Sequence, residues 1–145
     1  MLAEASVWSL HPQLARDGVA LGELPLSRVL VMNDANYPWL VLVPRRPGMV
    51  EIIDLGEADR VQLMGEISDV AGALKRITRC DKLNIAALGN AVPQLHVHVI
   101  ARFRNDAAGP RPVWGQVPPR PYATAELEAL MQKLRAEIEV HLNEA

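Results

Sequence analysis

Residues 93–103 read PQLHVHVIARF, so His96 and His98 stand two apart inside an apolar run. On a strand, successive side chains point to opposite faces. Gln94, His96, His98, Ile100 and Arg102 therefore share one face, while Leu95, Val97, Val99 and Ala101 face the other way, into a core. Such a row admits three kinds of chemistry. It can be a hydrogen-bonded structural cluster, as a single buried histidine most often is. It can supply two imidazoles to a metal, but a catalytic zinc site usually takes three protein ligands, and His11 and His141 are remote in sequence. Or it can be a nucleophilic centre. A neutral imidazole whose one ring N–H is held by a backbone carbonyl presents the lone pair of its other nitrogen to an electrophile such as phosphorus. The adduct is cationic and leaves readily in a second step. A neighbouring histidine can then donate a hydrogen bond to the phosphoryl oxygens as charge moves onto them.

The elements that must position these residues are legible in the pattern. The runs SRVLVMN (27–33) and WLVLVP (39–44) are β-branched and apolar, and the turn-rich DANYP separates them, which predicts a hairpin. KLNIAAL (82–88) and LHVHVIARF (95–103) predict a second strand pair, and a weaker strand is expected near residues 20–24. Leu63, Ile67, Val70, Leu74 and Ile77 recur at helical spacing after EIIDLGEADR, with Asp54 and Glu57 resembling a capping box and Gly56 as the competing cap. Leu127, Leu130, Met131, Leu134, Ile138 and Leu142 form the stripe of a second helix over about 123–142, with Thr124 as its expected N-cap. Five prolines in GPRPVWGQVPPRP (109–121) exclude regular helix or central strand there and predict an ordered loop or stiff connector. Strands, a helix, strands and a helix in that order predict an α+β fold with an antiparallel sheet of about five strands, flanked by a long middle helix and a C-terminal helix.

With 145 residues, half of them hydrophobic, 22% charged and a formal net charge of −2, the chain has the size and composition of one globular domain, 1–145. No basic excess points to a nucleic-acid polymer or an anionic membrane. Local cations occur at Arg45–Arg46, expected as a solvated strand end, and at Arg102 with Arg104. Arg102 could offset phosphate charge or mark a strand end emerging into solvent. Cys80 is the single cysteine, so no intrachain disulfide and no cysteine-rich zinc site can form, and a reducing cytoplasm is expected. The start, MLAEASVWSLHP, has neither the charge nor the apolar run of a signal peptide, and no segment approaches the roughly 18 apolar residues needed to span a bilayer.

With the motif in place, the sequence resembles the histidine triad (HIT) superfamily of nucleotide hydrolases and transferases, whose signature is His-φ-His-φ-His-φ-φ with φ apolar. The matching run is Gln94-Leu95-His96-Val97-His98-Val99-Ile100, a Q-x-H-x-H variant in which glutamine stands for the first histidine. LNIAALGNAVPQLHVHV adds Asn84, Gly89 and Asn90 ahead of the motif, VLVMNDANYPWLVLVPRRPG adds Asp34, and DLGEADRVQLMGEI falls at the family's long helix. The likeness covers about residues 20–105. Ala91 stands where some members carry serine or threonine near the leaving group, and Trp39 where many carry histidine.

The resemblance implies a HIT-like fold and hydrolysis of a nucleotidyl bond in a dinucleoside polyphosphate or a nucleoside phosphoramidate. His96 would be the nucleophile, with His98, Gln94 and Asn84 supporting the phosphoryl oxygens, Asp34 contacting the ribose hydroxyls, and Asn90 in the substrate loop. It implies a homodimer and no metal or cofactor held by the protein, a divalent ion arriving with the polyphosphate if at all. From a different class comes the alternative of a catalytically weak nucleotide-binding or regulatory protein. Asp34 also suits a plain role in the turn NDANYP. Trp114 could stack on a nucleobase or pin the proline loop.

Overall fold

In a computed structural model of the protein, residues 7–138 are described. Three helices, α1 (Pro12–Asp17), α2 (Glu57–Thr78) and α3 (Thr124–Ile138), accompany five strands. The strands are β1 (Gly18–Glu23), β2 (Ser27–Met32), β3 (Trp39–Pro44), β4 (Lys82–Ala86) and β5 (Val97–Arg102). They form one sheet in the order β1-β2-β3-β5-β4, with every neighbouring pair antiparallel. The α+β class, the five-stranded sheet and both hairpins expected from the sequence are present.

The two faces of the sheet are covered differently. α2 lays Leu63, Ile67, Val70 and Leu74 on one face, and α3 adds Met131, Leu134 and Ile138 beside them. Leu95, Val97, Val99 and Ala101 meet this layer, as alternation along β5 requires. Gly56 caps α2, while Asp54 accepts the backbone N–H groups of Val50 and Glu51 in the preceding short 3₁₀ turn Ile52–Asp54. The competing cap therefore holds, and Asp54 serves its own turn. In α3 the first intrahelical bond runs from the Leu127 N–H to the Ala123 carbonyl, which makes Thr124 the first helical residue rather than the N-cap. Leu142 and His141 lie outside the described residues.

On the second face, β2, β3 and β5 present Leu30, Trp39, Val41, Val43 and Ile100. Period-2 alternation alone predicts a polar working face here. Instead it is a second core, closed by Leu14 of α1 with Trp8 and Leu10 before it, and by Ala108, Val113 and Trp114 from the proline-rich loop. The β3 sequence carries the signal: all six of its residues are buried, as an unbroken apolar strand covered on both faces should be. The basic residues after β3 are at the solvated end expected, Arg46 exposed and Arg45 partly so, and both are also tethered. Arg45 donates to the carbonyls of Leu24 and Pro25, and Arg46 pairs with both oxygens of Asp59.

Candidate active site

His96 and His98 lie side by side on the second face, ring centroids 4.9 Å apart and nearly perpendicular, each only 6% exposed. Each ring has one nitrogen bound to a partner with a single hydrogen-bonding role. His96 Nδ1 lies 2.7 Å from the carbonyl oxygen of Gln94. A carbonyl only accepts, so Nδ1 carries the hydrogen and Nε2 keeps the lone pair. For His98 the arrangement is reversed. The Nε1–H of Trp39 donates to His98 Nδ1 at 3.0 Å. An indole only donates, so His98 Nδ1 is unprotonated and its neutral ring carries the hydrogen on Nε2. Burial, with the neighbouring His96 second, lowers the His98 pKa from 6.5 to about 4. The pair is thus differentiated: one imidazole offers a lone pair and the other an N–H.

The strands explain why these groups meet. Trp39 faces Ile100 across β3 and β5, and Val41 faces His98, so the indole lies one same-face step along from the histidine. Trp114 of the proline-rich loop closes the cluster, with its ring centroid 5.1 Å from His98 and 5.8 Å from Trp39. Its edge-on contacts pin the loop to the sheet.

The other expected residues sit as follows. Gln94 precedes β5, and its side chain faces the N-terminal segment: Oε1 accepts the His11 N–H (2.8 Å) and Nε2 donates to the Ser9 carbonyl (2.9 Å). Its backbone carbonyl, not its amide, is what touches His96. Asn84 accepts from Arg102 Nη1 through Oδ1 (2.9 Å), and among the described residues its Nδ2 makes no hydrogen bond. Asp34 is buried on the β2–β3 turn, where Oδ1 accepts the N–H groups of Asn36 (3.0 Å) and Arg120 (3.2 Å). It therefore fills the turn role and also clasps the end of the proline-rich segment. Asn90 is exposed in the loop between β4 and β5.

Arg102 neither emerges into solvent nor points a free charge at a site. It is 6% exposed and binds both oxygens of Asp106 (2.8 and 3.0 Å), Asn84, and the Gly109 carbonyl (2.8 Å). That bidentate pair lowers the Asp106 pKa to about 2. Asp106 was not singled out from the sequence, although an acidic residue four after a strand-end arginine is a visible cue. α1 and the segment before it were also missed, because six helical residues carry too little periodicity; His11, which accepts the Gln13 N–H, is the N-cap signal ahead of Pro12.

A cleft of about 840 Å³ follows β4, with Lys82, Asn84, Ala86, Arg104, Arg111 and Trp114 among its walls. Neither histidine lines it; its walls reach the pair only through Ala86, the cross-strand neighbour of His98, and Trp114, which packs on the His98 ring. Among the described residues, no group of three or more His, Cys, Asp or Glu side chains is placed to hold a metal.

The HIT domain family model matches residues 13–105, well over half of the chain. The chain belongs to the histidine triad family. A histidine triad protein of Bradyrhizobium japonicum is 61% identical, with 92% of this chain and 99% of that one aligned at a TM-score of 0.91. One of Marinobacter aquaeolei is 42% identical over 94% and 99% of the two chains, also at 0.91. One of Sinorhizobium meliloti is 41% identical over 90% and 96%, at 0.88. No match is found among curated proteins. In this HIT protein His96 and His98 are thus in contact, and the Gln94 side chain holds the N-terminal segment.

Proposed function

We propose that this HIT protein is a nucleotide hydrolase that cleaves a nucleotidyl bond, in a dinucleoside polyphosphate or a nucleoside phosphoramidate, through a covalent nucleotidyl-histidine. The observation that carries the reading is the opposite tautomers of the two rings, each fixed by a partner that can play only one part. His96 Nε2 attacks the α-phosphorus, and the bond to the leaving group breaks with its electron pair; an amine leaving group takes a proton from solvent, and the water that attacks in the second step returns one to solvent. Water then attacks the phosphorus, the Nε2–P bond breaks, and nucleoside monophosphate departs. His98, neutral with its hydrogen on Nε2, donates to a non-bridging oxygen as negative charge gathers there. Asn84 has its Nδ2 donors for the same purpose, and Gln94 acts through the carbonyl that orients His96. Asp34 keeps Oδ2 for a ribose hydroxyl, and Asn90 lies on the loop leading into β5. The protein needs no metal of its own for these steps, although a polyphosphate can arrive with a divalent ion.

We place the protein in the cytoplasm on its lone, buried, unpaired Cys80; no described helix is long and apolar enough to cross a membrane. A homodimer is supported by the open edge of β4 and by the exposed apolar side chains Ile85, Leu88, Val61 and Met64 on β4, the loop after it and α2. The nucleotide is a small-molecule partner, and nucleic-acid polymers and membranes have no claim on a chain of this charge.

A catalytically weak nucleotide-binding or regulatory protein is the second reading, and the 6% exposure of each histidine favours it. Incubation with labelled diadenosine tetraphosphate and adenosine phosphoramidate separates the two. Turnover that disappears in His96→Ala, with a labelled protein adduct trapped by acid quench in the wild type, is the expected result. Nucleotide binding without turnover of either compound would replace the hydrolase with the binding module.

A further inference from the structure

The sheet face beside His96 is closed by a segment that is held by little. Arg28 of β2 is paired with Val43 of β3, and Val43 and His96 are each the next residue past the Leu42–Val97 pair of β3 and β5. Residues 7–11 cross this end of the second face. The Trp8 ring lies on the Arg28 guanidinium, 4.9 Å from its carbon to the ring centroid. At the other side, the Ser9 carbonyl and the His11 N–H are bonded to the amide of Gln94, two residues before His96, and Leu10 packs on the second core between them. Among the described residues, no backbone–backbone hydrogen bond ties residues 7–10 to the sheet. Ser9 is exposed, and Trp8, Leu10 and His11 are only half-buried. The Trp8 Nε1 donor is buried with no partner among the described residues, so closure carries a desolvation cost that opening returns.

We propose that residues 7–11 form a gate over His96, latched by the side-chain amide of Gln94, and that the histidine pair meets its substrate in the open state. The proposal rests on the nucleotidyl-hydrolase reading for what enters, while the gate itself is a property of the free protein. Its hinge is the start of α1. There the His11 ring accepts the Gln13 N–H, the His11 carbonyl accepts the Ala15 N–H, and Leu14 is buried in the second core, so the chain beyond stays in place while the residues before it lift. Opening breaks two hydrogen bonds and one ring–guanidinium contact, and it leaves the Gln94 carbonyl on His96 Nδ1 untouched. Access to the ring thus changes without a change of tautomer. Few buried contacts and solvent-facing hydrogen bonds place such a segment at the low end of local opening energies. The gate also accounts for a reactive ring that is only 6% exposed in the closed protein.

Chemical modification tests the gate separately from the reaction. Diethyl pyrocarbonate acylates an unprotonated imidazole nitrogen, and His96 Nε2 is the one its tautomer leaves bare, so the rate of His96 modification without substrate, read by mass spectrometry, reports opening. Gln94→Ala removes both bonds of the latch and should raise that rate on the order of tenfold, in step with faster hydrogen exchange at the His11 amide. Trp8→Ala frees the other end of the segment and should raise it in the same sense. Cys80, buried in the core on the opposite face, is the control: its alkylation by iodoacetamide reports general loosening and should keep the wild-type rate in both variants. Equal His96 rates in the wild type and both variants, a wild-type rate already that of a free histidine, or rises matched at Cys80 in both variants would each overturn the proposal. Latch-dependent reactivity in a protein that turns over neither diadenosine tetraphosphate nor adenosine phosphoramidate would keep the gate and remove the hydrolase.

Discussion

Trp39→Phe removes the indole N–H that donates to His98 Nδ1 together with part of a buried ring, so its effect has a packing part that does not depend on pH and a hydrogen-bond part that does. In the wild type that N–H occupies Nδ1, and burial with His96 nearby holds the ring's pKa at about 4. The folded value lies below the unfolded 6.5, so between these limits the unfolded chain binds more protons. Stability is at its full value above pH 6.5 and falls as the pH drops toward 4. A gap of about 2.5 pH units at about 1.4 kcal/mol each makes the total fall from this residue about 3 kcal/mol. Phenylalanine supplies no donor. At pH 7.5 the buried nitrogen left without its partner should cost about 1–3 kcal/mol, and the smaller ring adds a cavity cost that is the same at every pH. Protonation at Nδ1 no longer meets a facing N–H, and a bond worth about 0.5–1.5 kcal/mol converts to a rise of up to about one unit in the His98 pKa.

Those two effects oppose each other on acidification. The stability difference between the two proteins should therefore narrow by about 1 kcal/mol between pH 7.5 and pH 4, whereas a simple packing defect would keep it constant. Urea unfolding at pH 7.5, 6, 5 and 4 measures the difference, and nitrogen-15 correlation spectra of the imidazoles report the tautomer directly. The wild-type His98 should show a bare Nδ1 and no titration between pH 8 and 5.5. A wild-type midpoint near 6.5, or an Nδ1 signal that Trp39→Phe leaves unmoved, would refute the assignment of opposite tautomers and with it the division of labour between the histidines.

Gln94→Ala removes both bonds that hold Ser9 and His11 over the sheet. The expected loss is about 1–2 kcal/mol at this partly exposed site, read as faster hydrogen exchange at the His11 amide; unchanged protection there would show that apolar contacts alone hold the segment. Asp106→Asn leaves the buried Arg102 guanidinium without its counter-charge and should lower stability at pH 7 by about 3–5 kcal/mol in urea unfolding, with less than 1 kcal/mol counting against the pair as the anchor of the loop.

The α+β architecture was legible because strand and helix periods are local properties, and each of the five strands and both long helices falls within a few residues of its sequence signal. The burial of the second face was not legible from β5 alone. His96, His98 and Arg102 are polar, and alternation assigns polar residues to solvent. Only β3, apolar on both faces, tells that something must cover the sheet there, and the covering segments are irregular: an N-terminal strap with one short turn of helix, and a loop of prolines. Such segments have no period to read. The pairing of Arg102 with Asp106 was hidden for a related reason, since their proximity depends on a tight turn after β5 in which Asp106 also accepts the N–H groups of Phe103 and Ala108. For the site, residue types and strand spacing located the pair of histidines, but the tautomers depend on what Gln94 O and Trp39 Nε1 reach, which is set across strands.

Trp39 and Gln94 support the histidine pair in different ways. A histidine at 39 could donate or accept, and its own tautomer would have to be fixed by a further partner before it could fix that of His98. Tryptophan can only donate, so the choice is made by the residue type. A glutamine at 94 carries a donor and an acceptor on one amide with no charge state to manage, and both are used on the backbone of the strap while its carbonyl orients His96. Neither substitution leaves the pair unsupported. Trp39 gives His98 a partner whose hydrogen-bonding role does not change with pH, while His96 is oriented by the backbone carbonyl of residue 94, which any side chain there would leave in place. The indole fixes the His98 tautomer without a charge of its own, which is why the titration of His98 is the measurement that decides the assignment.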